Sequence, residues 1–355
     1  MRQLTLYIAL LLCVVSFAQD RSYIAGSYTP GFLLAHRADI KNLAAHNYGL
    51  ELAYEKQMSE SDWGKIYKNP VVGYGLLYYN LGKEETGHAL GGMAHVKLQL
   101  FQVKSAKINF RMGAGIAYLS KKFDTYSNRR NQAIGSHLNG SMQFGLIAHN
   151  PIRNGKDYIE YGVSISHYSN AAFKVPNLGY NIPSFTVRYG FGFNEAQTIK
   201  EEEMSPTLAK YDWKATLIYG KKQRNFANPV DFYNFGIQLR GIKNLSESKA
   251  WRFGLDYTLD KTYKFSEDNL YPLDSITLGE QSEIAFAAGF QWSFGRTDVV
   301  AEIGAYLYKP AVLKNPLNQR MGLAYHFSDR VTGQGTLRFH KGVADFFEIG
   351  VGYTL

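Results

Sequence analysis

The sequence predicts an all-β fold, a transmembrane antiparallel β-barrel of about 12–16 strands that follows a cleaved signal peptide. Three observations predict it: an apolar segment at the amino terminus, alternation of apolar with polar or small residues through most of the chain, and a carboxyl-terminal segment, FFEIGVGYTL, that alternates up to the last residue. The composition agrees, because 26 Tyr, 22 Phe and 34 Gly among 355 residues suit strands better than helices.

Residues 1–18 have the layout of a cleavable secretory signal peptide. Arg2 supplies the positive charge, an apolar run follows, and small residues precede the predicted cleavage site. A buried helix or a membrane anchor is the alternative, but the run is short for a spanning helix of about 20 residues. A lipoprotein would need a small residue before Cys13, and Leu12 stands there. Cleavage removes Cys13, the only cysteine, which excludes disulfide and zinc-thiolate sites from the exported chain.

The strand pattern is most regular in residues 284–294, where large apolar residues alternate with Ala, Gly, Gln and Ser. Strict alternation gives a strand one apolar face and one polar or small face. A soluble sandwich buries the apolar face, whereas a membrane barrel turns it toward lipid. Strands of about 10 residues, aromatic residues near strand ends such as Trp292 and Tyr306, and the export signal favour the membrane barrel.

Sixteen alternating segments follow the signal peptide, and twelve or fourteen strands are also compatible with the pattern. With both termini on the periplasmic side, odd-numbered strands run outward and the long connections lie outside the cell. The charged stretch 195–210 is long for a periplasmic turn, so it either covers the periplasmic mouth or separates two halves. We therefore expect residues 1–18 to be the signal peptide and residues 19–355 to form a β-barrel in the bacterial outer membrane.

The stretch YGVSISHYSN, residues 161–170, places two polar residues in an apolar row. It belongs to the seventh segment, which runs outward and ends at the external rim. Val163 and Ile165 face lipid, and the period of two puts His167 and Ser169 on the same row. A base and a hydroxyl nucleophile would thus be presented to the outer leaflet; the plainer interpretation is a pair of interfacial polar residues.

The run HYSNAAFKVPNLGYN, residues 167–181, resembles the active-site segment of the PagL-type lipid A 3-O-deacylases, acyloxyacyl hydrolase-like outer-membrane barrels that remove an ester-linked acyl chain from lipopolysaccharide. The family pattern has His, one residue, Ser-Asn, a basic residue, Pro-Asn-x-Gly and finally an acidic residue. The matching residues are His167, Ser169, Asn170, Lys174, Pro176, Asn177 and Gly179. The family's acidic residue corresponds to Asn181, which can orient a histidine but offers it no full charge. The whole active-site segment is expected within residues 157–195.

The resemblance implies serine ester hydrolysis of lipid A. His167 would take the proton from Ser169, whose hydroxyl oxygen attacks the acyl carbonyl, and Asn181 would be the third catalytic residue. The resulting imidazolium would protonate the sugar hydroxyl that leaves, and water would complete deacylation. No cofactor and no metal ion are implied.

The resemblance also implies residues that bind the substrate or stabilise the oxyanion. The donors would be the backbone N–H groups after Ser169 and the side chains of Asn170 or Asn177, each worth about 3 kcal/mol. Gly179 would allow a tight loop that returns toward the histidine. Lys174 would contact a phosphate of lipid A, although a solvated loop charge is the plainer interpretation.

Charge and composition restrict the partners. The formal net charge of +9 favours anionic partners, and for an exported chain without a nucleic-acid-binding motif these are lipid A and lipopolysaccharide of the outer leaflet. Basic residues of predicted external loops that could bind lipid A phosphates are Lys121, Lys122, Arg129, Arg130, Lys221, Lys222 and Arg224. The alternative function is a non-enzymatic outer-membrane porin, transport or lipopolysaccharide-binding barrel in which the motif is degenerate.

Overall fold

Two closed barrels of antiparallel strands make up the computed structural model of the chain. The structure describes residues 21–59, 61–193, 211–223, 229–264, 276–310 and 315–355. The predicted signal peptide lies outside these ranges. In the described part of the chain, no helix is both long enough and apolar enough to cross a membrane.

The first barrel contains eight strands, each paired with the next along the chain. They are β1 (Ser22–Phe32), β2 (His46–Gln57), β3 (Val71–Asn80), β4 (His88–Val103), β5 (Ala106–Leu119), β6 (Leu138–Ile152), β7 (Asp157–Ser169) and β8 (Tyr180–Gly192). The barrel closes because β8 also pairs with β1, which places Tyr23 opposite Gly192. A 3₁₀ helix, Ala38–Leu43, lies between β1 and β2, and a short helix, α1 (Asp62–Ile66), lies between β2 and β3.

The second barrel repeats this organisation. Its strands are β9 (Tyr211–Gln223), β10 (Asp231–Ser246), β11 (Lys249–Leu259), β12 (Ser282–Phe294), β13 (Thr297–Tyr308), β14 (Leu317–His326), β15 (Val331–His340) and β16 (Val343–Thr354). It closes because β16 pairs with β9, which places Phe347 opposite Lys221. Two 3₁₀ helices, Lys261–Lys264 and Gly279–Gln281, lie in the connection between β11 and β12.

The number of strands agrees with the prediction, but the expected single barrel over residues 19–355 is two barrels. Alternation predicts which face of a strand meets lipid, and that pattern is the same in one large barrel and in two small ones. The number of barrels depends instead on which strand pairs with the eighth one, and β8 pairs with β1 rather than with β9. The stretch 195–210, interpreted from sequence as a cover for the mouth or a separator of halves, connects the two barrels in the chain and lies outside the described residues.

The predicted alternation of faces is confirmed in both barrels. On the outer wall, Leu76 is 68% exposed and Leu217 is 66% exposed, whereas Ala285 and Ala287 on the inner face of β12 are buried. Most charged side chains of the strands point inward, and most of their large apolar side chains point outward. This is the reverse of a soluble protein and the arrangement of a transmembrane β-barrel, in which lipid covers the apolar wall.

Ion pairs fill the lumen of the first barrel. Lys97 Nζ lies 2.7 Å from Glu55 Oε2 and 2.8 Å from Glu160 Oε1. Arg188 contacts both Glu51 and Glu55, the latter at 3.1 Å. These side chains come from four different strands and are almost completely buried, so they tie the walls of the barrel together across its interior.

The lumen of the second barrel is filled in the same way. Arg320 contacts Glu348 at 2.6 Å and Asp256 at 2.8 Å, and Arg240 contacts Glu302 at 3.0 Å. An eight-stranded barrel has an interior just wide enough for side chains, whereas an aqueous channel requires about 16–18 strands in one barrel. The division of the strands into two barrels therefore leaves no wide pore along the described strands.

An apolar cluster closes the external end of the first barrel. Tyr79 and Tyr168, from the strands, pack with Ile40 and Leu43 from the β1–β2 connection and with Ile134 from the β5–β6 connection, and all five are buried. These connections fold inward over the lumen, so their apolar side chains pack against the inner faces of the strands at the external end. The end of β7 and the start of β8 therefore lie at an external rim whose inner side is filled by this cluster.

Candidate active site

His167 and Ser169 occupy the lipid-facing side of β7 at its external end. Val163 and Ile165 on the same row are exposed, whereas Ser166 is buried and faces inward. The imidazole and the hydroxyl, both half-buried, therefore project away from the lumen. This is the orientation that the alternation of the sequence predicts.

The imidazole of His167 is held by Asn181 on the neighbouring strand. The register of β7 and β8 places these two residues opposite each other, and His167 Nδ1 lies 2.7 Å from Asn181 Oδ1. An amide oxygen can accept a hydrogen bond but not donate one, so Nδ1 carries the hydrogen and Nε2 keeps its lone pair. The ring is thereby prepared to accept a proton at the nitrogen that Asn181 does not occupy.

Ser169 has no side chain opposite it on the neighbouring strand β6. Its partner across the β6–β7 pair is Gly140, which has no side chain to cover the hydroxyl. Within the described structure no hydrogen bond joins the Ser169 hydroxyl to the His167 ring, although the two residues are two positions apart on one face. Such bonds are often long in an unliganded enzyme and shorten when substrate binds.

The loop after Ser169 is folded by its asparagines. The Asn170 backbone N–H donates to Asn177 Oδ1 at 2.9 Å, and the Asn170 side chain donates to Ser136 Oγ at 2.8 Å and accepts from the Lys174 N–H at 3.2 Å. The N–H that directly follows Ser169 thus has a protein acceptor already. Among the described residues, no acceptor lies within hydrogen-bond distance of the side-chain amino group of Asn177 or of the Ala171 N–H, so both are free to meet an oxyanion.

Gly179 places the loop against the imidazole ring of His167. Its φ is +78°, and a Cβ atom added to it would lie 2.8 Å from His167 Cε1. Its N–H donates to Ala133 O at 2.9 Å. Only glycine combines this backbone conformation with the close approach to an imidazole, which explains why the motif has glycine here.

The second barrel contacts the same loop. The Gln223 N–H donates to Ala172 O at 2.8 Å, and the Val175 N–H donates to Gln223 Oε1 at 3.2 Å. The ammonium of Lys221 lies 4.4 Å from the centre of the Phe173 ring, within cation–π distance. The end of β9 therefore supports the loop that carries the predicted substrate-binding residues.

The predicted phosphate ligands separate into distinct environments. Lys222 points into the second barrel, where it contacts Asp260 at 2.7 Å and Asp345 at 2.6 Å, so the prediction that it lies in an external loop is wrong. Its neighbour Lys221 has the opposite parity and pairs with Asp231 at 2.6 Å. A cleft on the external loops of the first barrel contains four of the other predicted ligands together with three acidic residues: Lys121, Lys122, Arg129, Arg130, Glu84, Glu85 and Asp124. Arg224 lies outside the described residues.

Two residues that the sequence pattern does not single out belong to this site. His36, in the β1–β2 connection, lies with its Nδ1 3.1 Å from Asn181 Nδ2. Gln223 reaches the loop from the other barrel. Both contacts join residues that are far apart in the chain, and they exist only because of how the strands close and pack.

Comparison with known proteins supports the resemblance found in the motif. Residues 48–190 match the family model described as lipid A 3-O-deacylase (PagL), and residues 211–355 match the one described as acyloxyacyl hydrolase, C-terminal domain. The two matched segments follow the two barrels. The predicted resemblance to the PagL-type family is therefore confirmed. No curated protein matches the chain.

Solved structures with likeness to this chain include an outer membrane enzyme and a porin. The crystal structure of the outer membrane enzyme PagL is 22% identical, with 48% of this chain and 98% of that chain covered and a TM-score of 0.30. A triple mutant of the Rhodopseudomonas blastica porin is 8% identical, with 94% of this chain and 99% of that chain covered and a TM-score of 0.17.

Proposed function

We propose that this PagL-like barrel of the bacterial outer membrane is a serine esterase that removes an ester-linked acyl chain from lipid A of lipopolysaccharide. The observation that carries the proposal is the contact of 2.7 Å between His167 Nδ1 and Asn181 Oδ1, which prepares a base on the lipid-facing wall two residues before a serine. The external end of an outward-running strand lies at the level of the outer leaflet.

The arrangement supports a two-step reaction. Nε2 of His167 accepts the proton of the Ser169 hydroxyl while the serine oxygen forms a bond to the acyl carbonyl carbon. The tetrahedral intermediate then expels the sugar oxygen, which takes the proton from the imidazolium. Water, activated by the same nitrogen, hydrolyses the acyl-serine and releases the fatty acid. The Asn177 amino group is the candidate donor to the oxyanion, and Lys174, on the same loop, is the candidate ligand of a lipid A phosphate.

Mass spectrometry of lipid A tests the activity. We expect that the purified protein, incubated with lipid A in mixed micelles, converts it to a species that lacks one ester-linked acyl chain and releases the corresponding free fatty acid. Micelles without protein give the background. If lipid A binds to the protein but its mass stays unchanged, the protein is a lipopolysaccharide-binding barrel and not an esterase.

The transport alternative makes an opposite prediction for conductance. Because ionised side chains such as Arg188 and Arg320 fill both lumens, we expect no ion-conducting steps when the protein is inserted into a planar lipid bilayer. A general porin inserted under the same conditions provides the positive control. Reproducible conductance steps from the two-barrel protein would favour a channel and weaken the esterase proposal.

A further inference from the structure

The side-chain amide of Asn181 lies between two histidines. Its oxygen faces Nδ1 of His167 at 2.7 Å, and its nitrogen faces Nδ1 of His36 at 3.1 Å. We propose that His36 is a positioning residue of the esterase: it accepts a hydrogen bond from the Asn181 amino group and thereby keeps the amide oxygen directed at His167. This inference rests on the proposed function and identifies a residue that serves the same site.

The position of His36 is fixed by main-chain contacts on both sides of the β1–β2 connection. The Leu34 N–H donates to Asn181 O at 2.8 Å, which joins the connection directly to β8. The Leu33 N–H donates to Ala45 O at 2.8 Å, and the Leu33 side chain is buried in the apolar cluster at the external end of the barrel. His36 is exposed, yet the segment that carries it is anchored two residues before it.

The Asn181 side chain needs a hydrogen-bond partner such as His36 because its oxygen and its amino group have almost the same size and shape. Rotation by half a turn would exchange the oxygen and the amino group of Asn181 at little steric cost. The amino group would then donate to His167 Nδ1 and force that nitrogen to act as the acceptor. The hydrogen of the neutral ring would move to Nε2, so the nitrogen that has to deprotonate Ser169 would no longer be a base.

His36 distinguishes the two orientations through the lone pair of its Nδ1. In the tautomer with hydrogen on Nε2, Nδ1 accepts from the Asn181 amino group, which is possible only in the productive orientation. The same nitrogen lies 3.4 Å from Leu34 O, a longer and weaker contact than the 3.1 Å to Asn181. In this tautomer the Nδ1 lone pair serves the closer partner, the Asn181 amino group, and Nδ1 makes no hydrogen bond with Leu34 O.

The requirement follows from the amide at position 181. A carboxylate has two equivalent oxygens and accepts from His167 in either orientation, so it needs no second residue to select one. The pattern of the family has an acidic residue at this position, whereas this chain has Asn181. Because an amide has two different ends, a second residue has to select its orientation, and His36 does so.

Kinetic measurements on variants in detergent-solubilised full-length protein test the inference. We expect His36→Ala to lower kcat about fivefold to tenfold, the effect of one neutral hydrogen bond, with KM unchanged. His36→Gln retains an acceptor oxygen and should recover most of kcat. Arg37→Ala, an exposed neighbour in the same connection, is the matched control and should behave as wild type.

The double variant separates orientation from a general structural effect. Asn181→Asp should be active, and His36→Ala in the Asn181→Asp background should cause little further loss, because a carboxylate needs no orienting partner. Equal losses from His36→Ala in both backgrounds would mean that His36 stabilises the connection and not the amide. Wild-type kcat in the single His36→Ala variant would also overturn the inference.

A spectroscopic measurement makes the test independent of turnover. With ¹⁵N-labelled histidine, the His167 signals, assigned by their absence in His167→Gln, should show hydrogen on Nδ1 in the wild-type protein and a shift toward hydrogen on Nε2 in His36→Ala. An unchanged His167 tautomer overturns the inference. If the tautomer shifts as expected while wild-type protein does not deacylate lipid A, the proposed function fails and the role of His36 in orienting Asn181 stands.

Discussion

Replacing Ser169 with alanine is expected to reduce the release of fatty acid from lipid A by about 10³-fold or more, because the reaction then has no nucleophile. The fold should be unaffected. The side chain is half-buried on the outer wall, it faces Gly140 across the sheet, and none of the hydrogen bonds of the described structure uses its hydroxyl. The measurement is the rate of fatty acid release at saturating lipid A, followed by mass spectrometry.

Ser164→Ala provides a matched control for Ser169→Ala. Ser164 lies five residues earlier on β7 and faces inward, where its hydroxyl lies 3.0 Å from Thr186 Oγ1. Both substitutions remove one hydroxyl from the same strand, so a loss confined to Ser169→Ala reports chemistry and not stability. If Ser169→Ala deacylates at the wild-type rate, Ser169 is not the nucleophile, and the reaction would have to proceed through water activated by His167.

The strands were predictable because alternation is a local property. Residues 284–294 read as a strand with one large apolar face, and β12 has that face outward. Once a membrane barrel is preferred to a soluble sandwich, the same argument places His167 and Ser169 on the outer wall without knowledge of how the strands close. Lys222 shows the limit of the approach. The sequence predicts an external loop over Lys221 and Lys222, but β9 continues through both residues, and their opposite parity directs Lys222 into the lumen.

The closure of the barrels and part of the site were not predictable, because they depend on contacts between distant residues. Two eight-stranded barrels and one sixteen-stranded barrel require the same alternation, and only the pairing of β8 with β1 distinguishes them. His36 reaches Asn181 across 145 positions of the chain because the connection after β1 lies next to the start of β8. Gln223 reaches the loop of the proposed site from the other barrel. No local pattern marks either residue.

Substituting Arg188 with methionine is expected to cause the largest loss of stability. The network in the first lumen contains three carboxylates and three permanent cations: Glu51, Glu55, Glu160, Lys97, Arg111 and Arg188. Removing the arginine leaves a net negative charge in a buried interior. Loss of one partner from such a network typically costs about 3–5 kcal/mol. The measurement is the free energy of unfolding from urea titrations in lipid vesicles.

Arg130→Met serves as the control, since its guanidinium is 79% exposed and lies 3.8 Å from Glu85. Exposed pairs contribute about 0–1 kcal/mol, so this variant should unfold like the wild type. If Arg188→Met and Arg130→Met have the same free energy of unfolding, the loss of Arg188 does not leave an uncompensated charge in the lumen.

A second substitution tests whether unbalanced charge is the cause. Glu51 is a direct partner of Arg188, and it also contacts Arg111 at 2.6 Å. Combining Arg188→Met with Glu51→Gln restores equal numbers of positive and negative groups in the lumen, so we expect the double variant to recover part of the lost stability. If the double variant is less stable than Arg188→Met alone, the packing and hydrogen bonds of the arginine, and not its charge, hold the strands together. Because this network lies below the rim that carries His167, the deacylation rate of the folded fraction should remain close to wild type in either case.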